Sequence, residues 1–261
     1  MKKLLIGLAA LLPAWGAADA QENRDIRVRV GIGPQIEPKY IGADNYKIAP
    51  LFHFKIAHGD KQFGFSAPDD GPSLGIVSSD GFKLGVTGKI QGKRKASDVG
   101  AAVGDVKTTY EVGGFAQYEW QDSLRVRAKL LKGLNGHDGV VGEVSADKIW
   151  RDGDRYVVSV GPRVMFSDAK FQRAYFGVTP AVASVTGLPA YRPGSGIYAA
   201  AAAAGATYAL SNNWGLFGYA RYERLVGDAA KSPIVRQFGS RNQMSAGAGV
   251  NYTFTIHRSP K

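Results

Sequence analysis

The chain has 261 residues, which is enough for one large domain with a substantial core. It contains 33 Lys or Arg against 22 Asp or Glu, and the resulting formal charge of +11 favours anionic partners. It has no cysteine, which excludes a disulfide framework and any metal site built from thiolates.

The N-terminus has the three parts of a secretory signal peptide. Lys2 lies in a short basic stretch, residues 4–12 are apolar, and residues 18–20 read Ala-Asp-Ala, a small-residue cleavage site. We therefore expect residues 1–20 to be removed and residues 21–261 to form a single exported domain. Because an exported protein seldom meets nucleic acid, we expect no nucleic-acid partner, and lipopolysaccharide phosphates or acidic sugars are the expected anions.

Most of the remaining chain alternates between apolar and polar residues with a period of two, which is the pattern of a strand with two different faces. No apolar run after the signal peptide approaches the roughly 20 residues that a membrane helix needs. The alternation predicts about twelve strands, an even number of the kind typical of bacterial barrels. The predicted strands cover residues 26–33, 47–57, 62–66, 73–77, 82–91, 109–120, 124–130, 140–147, 156–166, 198–210, 214–225 and 243–256.

The last predicted strand, residues 243–256, favours a membrane protein. Its apolar face ends in aromatic residues, and Gly249, Tyr252 and Phe254 have the spacing of the C-terminal assembly signal of outer-membrane β-barrel proteins. Such signals usually end at the last aromatic residue, whereas this chain continues through residues 255–261. A long strand of a soluble sandwich would alternate in the same way, so this strand alone leaves both folds open.

The connections between the predicted strands favour the barrel. Bacterial barrels join their strands by short periplasmic turns and long external loops. Short turns are expected at Gly59, Asp80, Asp122, Gly153 and Asn212, on the periplasmic side. They alternate with expected external loops at residues 34–45, 68–72, 92–106, 133–139, 167–196 and 227–240. Within the fifth of these loops we expect a short strand near residues 175–176 and a turn of helix near residues 181–184. The sequence therefore predicts an all-β protein, a transmembrane antiparallel up-and-down β-barrel, in which closure gives every backbone group a partner strand.

The polar face of the predicted strands is rich in Lys and Arg and poorer in acids. One interpretation is an anion-attracting pore lining. The other is a closed interior of paired charges, and it gains weight because small barrels fill their interiors with side chains. The candidate lumen-lining residues are Arg27, Arg29, Lys83, Lys89, Arg125, Arg127, Lys129, Arg163 and Arg221, with Lys55 on the same face.

The residues give no sign of catalysis or of a bound cofactor. The 4 histidines lack the spacing of a metal site. Asp228 and Ser232 are more typical of local turn hydrogen bonds than of a nucleophile, and no Ser-His constellation is evident. We therefore expect no enzyme activity and no cofactor.

Several short motifs carry a resemblance to a known family, which covers nearly all of the mature chain. The most specific motif runs from Gly227 and Asp228 to Ser232 and Pro233. The chain resembles the MltA-interacting protein (MipA)/OmpV family of Gram-negative outer-membrane proteins. Further carriers are Pro38-x-Tyr40-x-Gly42, Tyr175-Phe176-Gly177-Val178, Gly187-Leu188-Pro189 and the closing Tyr252-x-Phe254.

This resemblance implies a location and a role. It implies the outer membrane, contact with its lipid and lipopolysaccharide, and a scaffold function. The scaffold would assemble a peptidoglycan-remodelling complex whose protein partners are a lytic transglycosylase and a murein synthase. Members of the family are also described as adhesins or channels, so a small anion-preferring channel or an adhesin is the alternative. The resemblance supplies no catalytic residue.

Overall fold

The structure is a computed structural model that describes residues 25–257, so the signal peptide expected at residues 1–20 lies outside it. Within this range, 11 strands form one antiparallel sheet. The strands are β1 (Ile26–Pro38), β2 (Tyr46–His58), β3 (Ser73–Ser79), β4 (Phe82–Gln91), β5 (Thr109–Trp120), β6 (Leu124–Leu134), β7 (Val140–Asp152), β8 (Tyr156–Ser167), β9 (Gly196–Ala209), β10 (Trp214–Leu225) and β11 (Asn242–Ile256). The helices are α1 (Ala96–Val99), α2 (Ala169–Phe176), α3 (Pro180–Thr186), α4 (Gly227–Lys231) and α5 (Pro233–Phe238).

The order of the strands makes the sheet curl back on itself. Consecutive strands pair from β3 through to β11, and β11 then pairs with β1. Ile26 lies opposite Ile256 and Val30 opposite Tyr252, so both ends of the described chain share one ladder. β2 pairs with the other side of β1. The edge strands of the curled sheet are therefore β2 and β3, which follow one another in sequence.

The strand expected at residues 62–66 is absent, and along the described chain no ladder joins β2 to β3. Residues 59–72, here called the inner segment, instead pass through the interior of the sheet, where Phe63 and Phe65 are buried. The backbone N–H of Phe63 donates to Oδ1 of Asp154 at 3.0 Å, so a side chain supplies the partner that a strand would have supplied. The alternation of apolar residues in this stretch marks burial rather than strand pairing.

The two faces of the sheet differ as the alternation predicts. On the outer face, Ile48, Phe52 and Phe54 are 81%, 72% and 64% exposed. On the inner face, Arg125 and Arg163 are 0% and 2% exposed. Soluble monomers rarely expose apolar patches of this extent, so the outer face marks a surface that meets an apolar environment.

Helices lie in the long connections, at the end of the sheet opposite the short turns. The helix α2 is capped by Asp168, whose side chain accepts a hydrogen bond from the N–H of Phe171 at 2.9 Å. Phe171 and Tyr175, spaced by four residues, are both buried in a cluster that includes residues of α4 and α5. No helix within residues 25–257 has the length and apolar character needed to cross a membrane.

The structure corrects two expectations for these connections. The short strand expected near residues 175–176 is wrong, because the apolar residues there belong to the buried face of α2. Residues 227–240, expected to be a loop, contain α4 and α5. The turn of helix expected near residues 181–184 is confirmed by α3, where Thr179 caps the first turn and Pro180 opens the helix.

Candidate functional site

Inside the curled sheet, the inner segment brings carboxylates to the arginines of the strands. It leaves β2 at the end of the sheet that carries the short turns and reaches β3 at the opposite end, so it crosses the interior lengthwise. At its far end the N–H of Ala67 donates to Oδ2 of Asp70 at 2.8 Å, a local turn that fixes the two neighbouring acids. Asp69 and Asp70 therefore project into the interior instead of into solvent.

The carboxylate of Asp69 accepts two hydrogen bonds from one arginine and one from a second. Nε of Arg163 donates to Oδ2 at 3.1 Å, and Nη2 donates to Oδ1 at 3.0 Å. Nη1 of Arg221 donates to Oδ2 at 2.8 Å. Two parallel hydrogen bonds between a guanidinium and a carboxylate fix geometry as well as adding attraction. Asp69 thus joins β8 to β10 through the middle of the interior.

Asp70 shares a third arginine with Asp147 on β7. Nη2 of Arg125 donates to Oδ1 of Asp70 at 3.1 Å and to Oδ2 of Asp147 at 2.6 Å, and its Nη1 is also within hydrogen-bonding distance of Asp70. Asp147 Oδ1 lies 2.7 Å from Nη2 of Arg163. We call the set formed by Arg125, Arg163, Arg221, Asp69, Asp70 and Asp147 the arginine cluster.

The acids of the inner segment remain ionised in this environment. Burial by itself raises the pKa of Asp69, but the hydrogen bond from Arg163 and the charge of Arg221 lower it more, so the net pKa lies below its ordinary value. Burial likewise opposes the attraction of Arg125 and Arg127 at Asp70, and its net pKa is also lowered. Both carboxylates therefore carry a charge that compensates the arginines at neutral pH.

Other candidate lumen-lining arginines stack on aromatic rings. The guanidinium carbon of Arg29 lies 4.3 Å from the ring centroid of Phe63, and that of Arg127 lies 3.9 Å from the ring centroid of Phe115. Arg27 is near the short turns, where its Nη1 lies 2.9 Å from Oδ2 of Asp154. The contact between Arg29 and Phe63 holds the inner segment to β1 by attraction between a cation and an aromatic face, and the contact between Arg127 and Phe115 joins β6 to β5 in the same way.

The candidate lysines are more exposed and less often ion-paired than the candidate arginines. Nζ of Lys129 lies 3.1 Å from Oε1 of Glu143, close to the arginine cluster. Lys83 is partly exposed and Lys89 is exposed, and neither has a carboxylate within ion-pairing distance in the part of the chain described. The structure thus brings Arg125, Arg163 and Arg221 into one cluster and leaves Lys83 and Lys89 outside it. Whether any of these residues lines a conducting path stays a prediction.

Sequence reasoning missed Asp69 and Asp70, since residues 68–72 were expected to form an external loop. The run Pro-Asp-Asp-Gly-Pro is typical of an exposed turn. A weaker signal was the excess of inward basic residues over inward acids on the predicted strands. Buried charges need partners, so that excess required carboxylates from outside the strands.

The geometry gives no indication of a metal centre: among residues 25–257, no group of three or more His, Asp or Glu residues has the arrangement needed to hold a metal ion. Buried in the interior near the helices, Nε2 of His137 lies 3.0 Å from Oε1 of Glu111, and Nδ1 of His137 accepts from the N–H of Gly139 at 3.0 Å. Both ring nitrogens are therefore occupied within the protein.

The sequence matches the model of the family described as MltA-interacting protein MipA over residues 30–254. The chain belongs to the MipA family. This confirms the resemblance expected from its motifs and places the protein in the Gram-negative outer membrane. No curated protein sequence matches the chain.

Solved outer-membrane proteins are similar in structure at very low sequence identity. An outer membrane channel from Pseudomonas putida F1 is 9% identical, with a TM-score of 0.45 over 97% of this chain and 100% of that chain. The KdgM porin is 10% identical, with a TM-score of 0.37 over 88% of this chain and 99% of that one. The outer membrane channel DcaP of Acinetobacter baumannii is 10% identical, with a TM-score of 0.39 over 88% of this chain and 96% of that one.

The motif that gave the MipA resemblance, with Gly227, Asp228, Ser232 and Pro233, closes the helical end of the interior. Oγ of Ser232, which is buried, donates to the carbonyl of Phe176 at 2.8 Å. Oδ2 of Asp228 accepts from the N–H of Gly194 at 2.9 Å, and Pro233 opens α5. Gly227 has φ of +56°, a conformation that favours glycine. These residues connect neighbouring loops, which is a structural role.

The residues expected to form the assembly signal lie on β11. Tyr252 and Phe254 are 38% and 37% exposed on the outer face, and Tyr252 packs against Trp214 with ring centroids 4.9 Å apart. A Cβ at Gly249 would lie 2.4 Å from the carbonyl oxygen of Ile32, so this glycine permits close pairing of β11 with β1. Their role in assembly stays a prediction.

Proposed function

We propose that this MipA-family protein is a non-catalytic transmembrane barrel that holds peptidoglycan-remodelling enzymes together at the outer membrane. The expected partners are a lytic transglycosylase and a murein synthase. The observation that carries the proposal is the family match over residues 30–254, because that family is described by its interaction with MltA. The protein itself would supply position and contact surface and no catalytic group.

The exposed apolar face supports a transmembrane position. A sheet that crosses hydrocarbon presents apolar side chains to lipid. Residues such as Ile48, Phe52 and Ile90 are more than half exposed on the outer face, while the arginine cluster lies on the inner face. We infer that the sheet crosses the membrane as an up-and-down barrel, with the short turns in the periplasm and the helices outside.

The compensated charges of the interior favour a scaffold over the alternative of an anion-preferring channel. An anion-conducting lining needs basic side chains that are free to meet the passing ion. Here Arg125, Arg163 and Arg221 are held by carboxylates, and the inner segment with Asp69 and Asp70 occupies the space between them. The positive charge of these arginines is therefore neutralised by carboxylates of the protein itself, which weakens the attraction for a passing anion.

The proposed contact surface is the rim formed by the short turns. Arg155 and Asp152, in the turn between β7 and β8, have side chains that are 71% and 59% exposed and lie 3.8 Å apart. Such a pair contributes little to stability, which leaves both groups available to a partner. The rim lies on the periplasmic side in the proposed orientation, where murein enzymes act.

A capture experiment tests this proposal. The tagged full chain, assembled in native outer membranes, is used to retain endogenous lytic transglycosylase and murein synthase after mild solubilisation. We expect both to be retained, and we expect Arg155→Glu at the rim to weaken retention. Arg173→Glu is the matched control, because Arg173 is exposed at the helical end. Retention of neither enzyme, or equal loss with both substitutions, would contradict the scaffold proposal.

A further inference from the structure

A cavity of about 1100 Å³ extends from the gap between the edge strands β2 and β3 into the interior, as far as β9 and β10. Its walls include Leu51 on β2 and Phe217 on β10, and its floor includes Phe65, Ala67 and Pro68 of the inner segment. Most of these side chains are apolar. Ligand pockets commonly enclose about 300–1,000 Å³ and combine an apolar lining with a few polar groups, so the cavity has the size and the character of a binding site.

The cavity reaches the outer face of the sheet through the gap between β2 and β3, here called the seam. Its lining includes Phe52 and Phe54 on β2 and Leu74 on β3. These residues are 72%, 64% and 67% exposed on the outer face. Because no ladder joins the two strands in the described chain, the interior is continuous with the apolar surface around the protein. A ligand that is dissolved in the membrane has a direct route to the cavity.

One cation in this cavity lacks an ionic partner. Lys55 lines the cavity, and its Nζ donates to the carbonyl of Gly64 at 3.2 Å. Within residues 25–257, no carboxylate lies within ion-pairing distance of that ammonium, in contrast to the arginine cluster. His53, two residues away on the same face, also lines the cavity. Lys55 is partly exposed, and an anion placed beside its ammonium gains a charge-assisted hydrogen bond. The site therefore favours one anionic group beside a long apolar body.

We propose that this cavity binds a long-chain fatty acid that enters through the seam. The carboxylate pairs with Lys55, with His53 beside it, and the acyl chain lies along the apolar wall that includes Leu51 and Phe217. Apolar burial favours the chain, and a charge-assisted hydrogen bond favours the head. A single unpaired cation matches a single carboxylate, and one apolar wall matches one acyl chain, which favours a free fatty acid over a phospholipid with two chains. This proposal goes beyond the scaffold function and does not depend on it.

Binding is measured with cis-parinaric acid, whose fluorescence reports transfer into an apolar site, on the full chain folded in detergent micelles. We expect saturable binding that palmitate displaces and methyl palmitate displaces much less. Lys55→Gln is expected to weaken binding about tenfold, the effect of losing one charge-assisted hydrogen bond. Lys47→Gln is the matched control, since Lys47 lies on the same face of β2, pairs with Glu37 at 3.1 Å and is not part of the cavity.

A second variant tests the cavity independently of the head group. Thr207→Trp places a large side chain in the lining, and we expect it to abolish palmitate-displaceable binding; its folding is verified by the heat-dependent gel shift of barrels. Equal binding by wild type, Lys55→Gln and Thr207→Trp would show partition into micelles and overturn the proposal. Displacement by phosphatidylglycerol without displacement by palmitate would also overturn it, in favour of a phospholipid occupant.

Discussion

Asp69 and Arg163 form a two-pronged pair in the middle of the curled sheet, with N–O distances of 3.1 and 3.0 Å. The residues are 94 positions apart in sequence. Arg163 belongs to a strand, whereas Asp69 belongs to the inner segment that crosses the interior. This pair therefore fixes the inner segment against the wall, and several properties of the protein should follow from it.

Removing the charge of Asp69 should destabilise the fold. Asp69→Asn keeps the side-chain shape but leaves Arg163 and Arg221 short of a carboxylate in a buried site. Breaking a buried pair costs about 3–5 kcal/mol, so we expect a clearly lower urea midpoint for the detergent-folded protein. Asp152→Asn is the control, because the exposed pair with Arg155 is worth about 0–1 kcal/mol. Equal midpoints for the two variants would contradict a structural role for Asp69.

The stability of the protein should fall in acid in a manner that depends on this pair. The pKa of Asp69 is lowered in the fold, because the hydrogen bond from Arg163 and the charges of Arg221 and Lys129 outweigh burial. A lowered pKa contributes stability that is complete above the unfolded value of about 3.9 and is lost as pH falls below it. We expect the urea midpoint of Asp69→Asn to fall less steeply than that of wild type as pH is lowered from neutral, while Asp70, whose pKa is also lowered, keeps its own acid dependence.

Loosening the inner segment should convert a protein with little conductance into an anion-preferring pore. The double variant Asp69→Asn with Asp70→Asn removes the carboxylates that the inner segment offers to Arg125, Arg163 and Arg221. The positive charge of these arginines is then no longer compensated by the inner segment. We expect few conductance steps from wild type in a planar bilayer and frequent steps with anion preference from the variant. Large, regular steps from wild type would contradict an interior that the inner segment obstructs, and cation preference in the variant would contradict the role of the arginines.

The sequence predicts the wall of this protein better than its interior. Alternation placed β5 with the bounds that the structure shows, because this strand has one apolar and one polar face. β10 also has the expected bounds, although its alternation is less regular because Phe217 lies on the inner face. Alternation ended the first strand at residue 33, before Pro34, whereas β1 continues to Pro38. Pro34 lies opposite Pro50 within a continuous strand pair. Residues 68–72 have the composition of a surface turn. They lie inside because arginines that are distant in sequence pair with their carboxylates. Such tertiary ion pairs cannot be predicted from the local sequence pattern.

The MipA motif should stabilise the helical end through one buried hydroxyl. Ser232→Ala removes the hydrogen bond from Oγ to the carbonyl of Phe176, which is 2.8 Å long. We expect a loss of about 1 kcal/mol in the free energy of unfolding. Ser184→Ala is the control, because its hydroxyl also bonds a carbonyl at 2.8 Å but lies in an exposed helix, where water replaces the partner. A larger loss in the control would contradict the importance of burial at Ser232.

Assembly should depend on the end of β11 more than on aromatic residues elsewhere in the wall. Phe254 lies on the outer face near the last paired residues, where β11 meets β1. If Gly249, Tyr252 and Phe254 form a recognition signal, Phe254→Ala will reduce the heat-modifiable, folded fraction in the outer membrane severalfold. Phe54→Ala removes a ring that is more exposed, 64% against 37%, yet lies far from the C-terminus in sequence. Because both changes remove the same group from the lipid-facing surface, an equal loss in both would point to lost lipid contact and would contradict a signal at the C-terminus.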